Sequence, residues 1–188
     1  MIAAPELIAT RRLFLRRIAT ADAQAAFDAY ASDPAVTRFL AWPPAASPGD
    51  VARHFAKVLA QWDEGRLFTW SLRLKDAGTL IGMADARVDA YMVNIGYVIG
   101  RRYWNAGYAT EAVQALCAWA DGEPDVARIW AVCAADNPAS ARVLEKAGLA
   151  REETLRPRAV LPNIGGEPRD CVCYARPGRG ARRAAAPC

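Results

Sequence analysis

Metal-binding and disulfide-forming residues are scarce in this sequence. It contains one histidine, His54, and five cysteines, an odd number scattered over 188 residues. Such a set does not resemble the disulfide framework of a small secreted protein, and it predicts a reducing, cytoplasmic location. Cys171 and Cys173 lie two apart on a predicted strand, but His54 is distant in sequence, so we expect no metal site.

Long apolar runs and targeting signals are also missing. No stretch approaches the roughly 20 apolar residues of a membrane span, and the N-terminus has no signal-peptide pattern. We therefore expect no membrane partner. The sequence is 53% hydrophobic, which is enough to fill one core. We predict a single domain over residues 1–175.

An excess of charge is confined to the C-terminus. The four arginines after Ala175 account for the net charge of +4, and the rest of the chain has 20 basic and 20 acidic residues. We expect the low-complexity tail, residues 176–188, to be disordered. The tail is either a solvated end, which we favour, or a contact for an anionic partner such as RNA. The body has no basic stripe with interleaved aromatics, so nucleic-acid binding is not expected.

Two common nucleotide-binding motifs are absent, but residues 96–112 form a third kind of anion site. Neither the P-loop string nor the Gly-x-Gly-x-x-Gly dinucleotide fingerprint occurs. Instead, Gly96-Tyr-Val-Ile-Gly-Arg-Arg-Tyr-Trp-Asn-Ala-Gly-Tyr-Ala-Thr-Glu-Ala112 predicts a buried strand, a glycine-bearing turn and an abrupt helix start. Such a turn directs backbone N–H groups and the positive end of a helix dipole at one point, which suits phosphate. A strand–helix corner with no ligand is the alternative.

A second string predicts a helix with clear start and stop signals. Asp136-Asn-Pro-Ala-Ser-Ala-Arg-Val-Leu-Glu-Lys-Ala-Gly-Leu149 has Asn137 as an N-cap, proline at the first helical position and Gly148 at the end. Elsewhere, periodicity predicts an alternating α/β unit. The predicted strands are Arg12–Arg17, Phe68–Leu74, Thr79–Val88, Val93–Ile99, Arg128–Cys133, Arg151–Leu155 and Pro168–Tyr174. The predicted helices run from Thr20 to Ala31, from Ser47 to Glu64, after Gly107 and after Asn137, and a proline- and glycine-rich linker covers Arg156–Glu167.

Together, the two strings resemble the acetyl-CoA elements of the GNAT superfamily of N-acetyltransferases. Trp104-Asn-Ala-Gly-Tyr-Ala109 is similar to the pyrophosphate loop, Gln/Arg-x-x-Gly-x-Gly/Ala, and the fuller string looks like the RimJ/RimL-type branch. The resemblance spans Leu13 to Tyr174. It implies an α/β GNAT fold, with a mixed, mostly antiparallel central sheet of about seven strands flanked by four helices. It also implies that two strands splay apart to form the acetyl-CoA cleft.

The resemblance also implies which residues bind acetyl-CoA. Backbone groups of Val98, Ile99 and Gly100 would pair with the pantetheine arm, as in strand addition. The pyrophosphate would lie over the loop and helix start, and two residues of the second string would flank the pantetheine. These contacts are Trp104, Asn105, Ala106, Gly107, Tyr108, Ala109, Thr110, Asn137 and Ser140. The loop lacks the glycine and lysine often seen inside it, which suggests somewhat weaker phosphate binding.

The implied reaction is direct acetyl transfer to a primary amine, either a protein N-terminal α-amine or a small-molecule amine. The Val98 amide is the expected oxyanion donor. Relatives often use a tyrosine as the acid for the leaving thiolate, but the matching position is Leu144. Ser140 is therefore the candidate for a thiolate hydrogen bond or proton, although it could equally be only a cofactor contact.

The family resemblance does not supply a general base for this chain. Relatives often have a glutamate just before the Ile-Gly-Tyr triplet, and this chain has Asn94, whose amide cannot accept the proton. Asp85, Asp89 and His54 are candidates, but we favour a water chain to bulk solvent, because an α-amine with a pKa near 8 needs little help. A catalytically weak or inactive acyl-CoA-binding regulatory protein is the alternative function, and Asn94 is its best argument.

The acceptor pocket is expected in segments that vary within such folds. Aromatic residues in the loop Phe39-Leu-Ala-Trp-Pro-Pro44 and elsewhere predict its walls, faced by the linker from Pro162 to Pro168. The candidate substrate contacts are Phe39, Trp42, Trp70, Tyr91 and Asn94. The protein is expected to be a monomer or a homodimer.

Overall fold

The computed structural model describes residues 2–184, without the side chains of residues 153, 155–158 and 182–184. Its eight strands form one sheet in the order β1-β2-β3-β4-β5-β6-β8-β7. The strands are β1 (Leu7–Ala9), β2 (Leu13–Arg17), β3 (Leu67–Leu74), β4 (Leu80–Asp89), β5 (Met92–Ile99), β6 (Arg128–Ala134), β7 (Ala150–Val160) and β8 (Pro168–Pro177). The helices are α1 (Ala23–Ala26), α2 (Pro34–Thr37), α3 (Pro48–Asp63), α4 (Tyr108–Gly122), α5 (Pro138–Lys146) and α6 (Arg179–Ala184).

Shorter helical turns complete the secondary structure. A 3-10 turn at Thr20–Asp22 leads into α1, and a π-helical segment at Phe27–Ala31 follows it. Two further 3-10 turns cover Arg101–Tyr103 and Pro162–Ile164. No helix among residues 2–184 combines the length and apolar character needed to cross a membrane.

The sheet is antiparallel except at its centre. β5 and β6 are parallel and pair over only three positions, ending where Asn94 pairs with Trp130. Beyond that point β5 continues to Ile99 and β6 to Ala134, each paired only on its outer side, with β4 and β8 respectively. The two strands therefore splay apart, which confirms the predicted mixed, mostly antiparallel sheet with a central cleft.

Two helical layers cover the sheet. On one face, α1, the π-helical segment and α3 bury Tyr30 and Phe55 against Met83 and Val98. On the other face, α4 buries Val113, Leu116 and other residues in the larger core, which also contains Ile95 and Ile99 of β5. Because successive strand residues point to opposite faces, the even-numbered residues of β5 face α3 and the odd-numbered residues face α4.

The edges of the sheet differ from the sequence prediction. β1 was not predicted, because three residues are too few to show an alternating pattern. β7 continues to Val160, so the connection predicted at Arg156–Glu167 is reduced to residues 161–167. Proline in that stretch is a turn signal, but β7 is the outermost strand, where proline costs few ladder hydrogen bonds.

The predicted boundary after residue 175 also lies too early. β8 runs to Pro177, and the Arg176 guanidinium bonds the Cys117 carbonyl at 3.2 Å and Asp121 at 2.5 Å. The amide of Gly178 then donates to the Ala127 carbonyl, and the amide of Gly180, in the first turn of α6, donates to the Val126 carbonyl. The backbone up to residue 180 is thus bonded to the body, and residues 185–188 lie outside the described residues.

Candidate functional site

A row of β5 backbone groups is directed into the gap between β5 and β6. The Gly100 amide donates to the Ile81 carbonyl on β4, and the Val98 carbonyl lies against Gly82, also on β4. Within an antiparallel ladder, both polar groups of a residue point to the same neighbour and the next residue points the other way. The N–H and C=O groups of Tyr97 and Ile99 therefore face the gap.

This geometry corrects two of the backbone contacts expected from the sequence. Val98 and Gly100 bond to β4, so they are not available to a ligand between β5 and β6. Ile99 keeps its expected place, and Tyr97 replaces Val98 as the residue whose amide faces the gap. Successive residues of a strand direct their backbone groups to opposite sides. A prediction that is wrong by one residue therefore exchanges the residues that bond to β4 for the residues that face the gap.

The predicted turn closes the end of this gap. Gly107 has φ +81° and Asn105 has φ +59°, and α4 starts directly after Gly107 without a side-chain cap. The first N–H groups of a helix have no intrahelical acceptor, so the amides of Tyr108, Ala109 and Thr110 are free to bind an anion. The residues from Trp104 to Gly107 are exposed. Gly107 is required here because other residues are strained at this φ.

Trp104 contacts the gap through its side chain. Its indole N–H donates to the Ile99 carbonyl at 2.7 Å, and the ring is 44% exposed. The indole thus occupies one of the backbone acceptors that face the gap. A ligand that pairs with the Ile99 carbonyl must use its second lone pair or displace this hydrogen bond.

A cation that the sequence analysis missed lies beside the turn. The Arg12 guanidinium donates to the Ala106 carbonyl at 2.9 Å, lies over the Tyr108 ring at 4.4 Å and comes within 3.4 Å of a Cβ placed on Gly107. Glu111 accepts one 2.7 Å hydrogen bond from the Arg12 guanidinium and another of 2.7 Å from the Arg12 backbone amide. The Thr10 hydroxyl also donates to Glu111, at 2.6 Å. Arg12 therefore places a guanidinium, paired with Glu111, beside a loop that has no lysine or arginine between Trp104 and Ala109.

Three proton-bearing side chains meet beside the gap, beyond the point where β5 and β6 part. The Tyr97 hydroxyl is 2.6 Å from the Ser140 hydroxyl and 3.2 Å from the Ser140 carbonyl. Cys133 on β6 is buried, and its thiol interacts with Ser140. Burial raises the pKa of Tyr97 above its usual range and that of Cys133 to about 11, so both keep their protons near neutral pH.

The two predicted residues of α5 have different positions. The Asn137 side chain accepts from the Ser140 amide at 3.1 Å, so it caps the helix and fixes Ser140. Leu144 is fully buried in the core, where it cannot donate a proton to any group. Tyr97 could have been suspected, since it belongs to the quoted Ile-Gly-Tyr triplet, but only the fold brings β5 and α5 together.

Of the three candidate bases, one lies next to the gap. Asp85 on β4 pairs with Gly96 on β5, and burial raises the pKa of Asp85 to about 6, although Arg87 acts to lower it. Asp89 is exposed at the far end of β4. His54 lies on α3 at the rim of a pocket, where desolvation and then Lys57 lower its pKa.

That pocket is the best candidate for an acceptor site. Its volume is about 410 Å³, and its walls are mostly apolar: Tyr30, Ala31, Trp42, Pro43, Pro44, Ala45, Ala46, Val51, Phe55 and Met83, with Asp50 and His54 as polar residues. It adjoins β5 because Met83 pairs with Val98. Asn163, between β7 and β8, donates to the carbonyls of Thr37 and Trp42 at 2.7 and 2.8 Å, which holds the loop in place.

Several predicted substrate contacts do not meet there. Trp70 is fully buried in an aromatic cluster, because β3 is covered on both faces. Its indole N–H donates to the Pro5 carbonyl at 2.9 Å. Tyr91 is 65% exposed in the β4–β5 turn, about 20 Å along the strand from Val98. Phe39 is partly buried under Arg38 outside the pocket lining. The Asn94 amide donates to the Trp130 carbonyl at 3.4 Å, where the gap begins.

Comparison with known proteins identifies the family of this chain. A family model described as acetyltransferase (GNAT) domain matches residues 12–150. The chain belongs to the GNAT acetyltransferase family. YoaA of Bacillus subtilis, an uncharacterized N-acetyltransferase, is 31% identical to this GNAT chain over 153 residues, covering 80% of the chain and 86% of YoaA. The protein is therefore an acyltransferase.

Solved structures show the same fold. A GNAT acetyltransferase from Bacillus anthracis has a TM-score of 0.80 at 26% identity, over 91% of this chain and 98% of its own. RimL, a ribosomal L7/L12 alpha-N-protein acetyltransferase in complex with coenzyme A, has a TM-score of 0.84 at 20% identity, over 93% and 99%. At 20% identity, the likeness to RimL shows a shared fold and no more.

Proposed function

We propose that this GNAT protein transfers an acetyl group from acetyl-CoA directly to a primary amine. The observation that carries the proposal is the uncapped start of α4 at Gly107, placed at the end of the gap between β5 and β6. Acetyl-CoA is long, with a diphosphate at one end and a thioester at the other. The turn fits the diphosphate, and the gap fits the pantetheine arm.

The residues present suit that ligand. The amides of Tyr108, Ala109 and Thr110 and the Arg12 guanidinium would hold the diphosphate. Backbone groups of Tyr97 and Ile99 would pair with the pantetheine, as an added strand does. When bound, acetyl-CoA supplies an activated acetyl thioester that a neutral amine can attack. The Tyr97 amide, which faces the gap, would bind the negative charge that develops on the carbonyl oxygen.

Ser140 and Tyr97 would provide the proton for the departing thiolate. Their hydroxyls are 2.6 Å apart, so a proton lost by Ser140 can be replaced from Tyr97. Cys133 adjoins them, but a thiol with a pKa of about 11 carries little thiolate near neutrality. That argues against an acetyl-cysteine intermediate and supports direct transfer.

The acceptor would be a primary amine that carries an apolar group. The pocket beside Met83 is large enough for one hydrophobic side chain and has two polar residues at its edge, Asp50 and His54. RimL, whose name describes acetylation of a protein α-amine, shares the fold, so a protein N-terminus is one candidate and a small apolar amine the other.

Thiol release from acetyl-CoA with a panel of amines tests the proposal. The panel should pair short peptides with free and blocked N-termini, and apolar with polycationic small amines. We expect release only with free amines and the highest kcat/KM for those with apolar groups. The alternative, a regulatory protein that binds acyl-CoA without turnover, is favoured by Asn94 and predicts tight binding with no release by any amine.

A further inference from the structure

Asp85 lies beside the gap and has no hydrogen-bond or ion-pair partner among the residues that the structure describes. Its side chain is partly buried on the α3 face of β4. A buried charge without a partner is costly, so such groups usually have a functional reason. We propose that Asp85 binds the acceptor ammonium group and accepts its proton, a role that rests on the proposed acetyl transfer.

The absence of a side chain at Gly96 gives the Asp85 carboxylate access to the gap. Asp85 pairs with Gly96 on β5, and a Cβ at residue 96 would be 2.9 Å from both carboxylate oxygens. Any larger residue there would push the carboxylate away. Gly96 lies between Asn94, where β5 and β6 part, and Val98, which adjoins the acceptor pocket. The carboxylate therefore reaches over β5 at the edge of the cleft, on the face where the pocket lies.

The surroundings contain another unused polar atom. Thr69 pairs with Asp85 from β3, and its hydroxyl is buried without a hydrogen-bond partner in the described structure. Thr69, Asp85 and Gly96 thus form a row across three strands that leads to the gap. A bound ammonium group carries up to three N–H donors, which can satisfy acceptors that the protein leaves open.

The neighbouring charges leave Asp85 free to titrate. Arg87 lies on the same strand and lowers the pKa of Asp85 by less than burial raises it, and Tyr30 faces Asp85 from the π-helical segment as a protonated phenol. Asp22, also near Tyr30, is engaged with Arg73 at 2.5 Å. Burial outweighs these effects and raises the pKa of Asp85 to about 6. A base in this range is ionised at neutral pH and still takes up a proton readily.

The proton balance of the reaction is then complete. The acceptor ammonium loses one proton to Asp85, and its nitrogen forms a bond to the acetyl carbon. The nitrogen then loses its second proton to solvent as the carbon–sulfur bond breaks. The thiolate takes a proton from Ser140, which recovers it from Tyr97 or solvent. Asp85 returns its proton to solvent through the open pocket. Asn94 cannot replace it, because an amide is no base and its N–H is directed to Trp130.

The test compares Asp85→Asn with Asp89→Asn, a matched change at the exposed end of the same strand. Thiol release is measured from pH 5 to 9, and acetyl-CoA affinity by calorimetry. We expect Asp85→Asn to lose about 100-fold or more in kcat, to lose the acidic limb near pH 6 and to keep acetyl-CoA affinity within about twofold. Asp89→Asn should match the parent. Asp85→Asn/Asn94→Glu, which returns a carboxylate to the same face of β5, should recover part of kcat.

Each result supports or overturns the assignment. If Asp85→Asn keeps the parent's kcat and acidic limb, Asp85 is not the base, although acetyl transfer stands. If the parent protein itself has no acidic limb between pH 5 and 7, the assignment also fails, and this needs no variant to fold. If the parent releases thiol with no amine, the proposed function fails and the role of Asp85 fails with it.

Discussion

The Tyr97 hydroxyl lies 2.6 Å from the Ser140 hydroxyl and joins β5 to α5 across the gap. Their separation in sequence is 43 residues. In the proposed reaction, this pair supplies the proton for the departing thiolate.

We expect Tyr97→Phe and Ser140→Ala each to lower kcat about 10- to 100-fold, because each removes a proton donor for the leaving thiolate. Steady-state thiol release measures this. The effects of the two changes should be far from additive, since the hydroxyls act as a unit. A matched control is Cys133→Ser, which keeps a small proton-bearing group at the adjacent site and should retain most of kcat. Additive losses in the double variant would contradict a shared relay.

Arg12 is expected to contribute to diphosphate binding. Arg12→Gln should weaken coenzyme A binding about tenfold or more, because a charge-assisted hydrogen bond to phosphate is lost. Calorimetry at two salt concentrations measures this, and the difference from the parent should shrink at high salt. Acetyl-pantetheine, which has no diphosphate, is the control ligand. Equal losses for both ligands would show that Arg12 acts only on the loop structure.

Glu111 makes that arrangement sensitive to acid. Burial alone would raise its pKa, but the hydrogen bonds from Thr10 and Arg12 outweigh burial and hold the pKa below its usual range. A carboxyl with a lowered pKa stabilises the fold above its unfolded pKa and loses that contribution as the pH falls through the folded value. Urea unfolding should therefore show a steeper loss of stability below about pH 4.5 in the parent than in Glu111→Gln. An equal loss of stability below that pH in the parent and in Glu111→Gln would contradict this expectation.

The contribution of Asp85 to stability should depend on pH in the opposite direction. Its folded pKa of about 6 is above the unfolded value, so the native state binds the proton more tightly and its stability increases as the pH falls from about 7 towards 4. At neutral pH the ionised carboxylate costs up to about 3 kcal/mol, less where the pocket admits water. Asp85→Asn should raise the free energy of unfolding at pH 7.5 and remove this slope. A variant less stable than the parent at that pH would contradict the account.

The sequence predicted the parts of the site that depend on local chemistry. The turn at Gly107 and the capped start of α5 at Asn137 follow from a few adjacent residues, and the splayed sheet follows from the family resemblance. The sequence did not reveal the roles of Arg12 and Tyr97. Their partners, Glu111 and Ser140, are distant in sequence, and no short pattern connects them.

Errors of orientation have a different cause. Val98 and Tyr97 are neighbours on one strand, and only the pairing with β4 determines which amide faces the gap. Trp70 was placed in a pocket because aromatic residues suit both pockets and cores, whereas β3 is covered on both faces. Asp85 was one candidate among three until the pairing with Gly96 put its carboxylate at the cleft.

Calorimetric titration with coenzyme A tests the central claim most directly, because that claim concerns the turn that would hold the diphosphate. The parent should give saturable heat with one site. Gly107→Val should bind at least about tenfold more weakly, since a β-branched residue is strained at φ +81°. Gly122→Ala, at the open far end of α4, should bind like the parent. No heat from the parent, or equal affinity in Gly107→Val, would contradict the account.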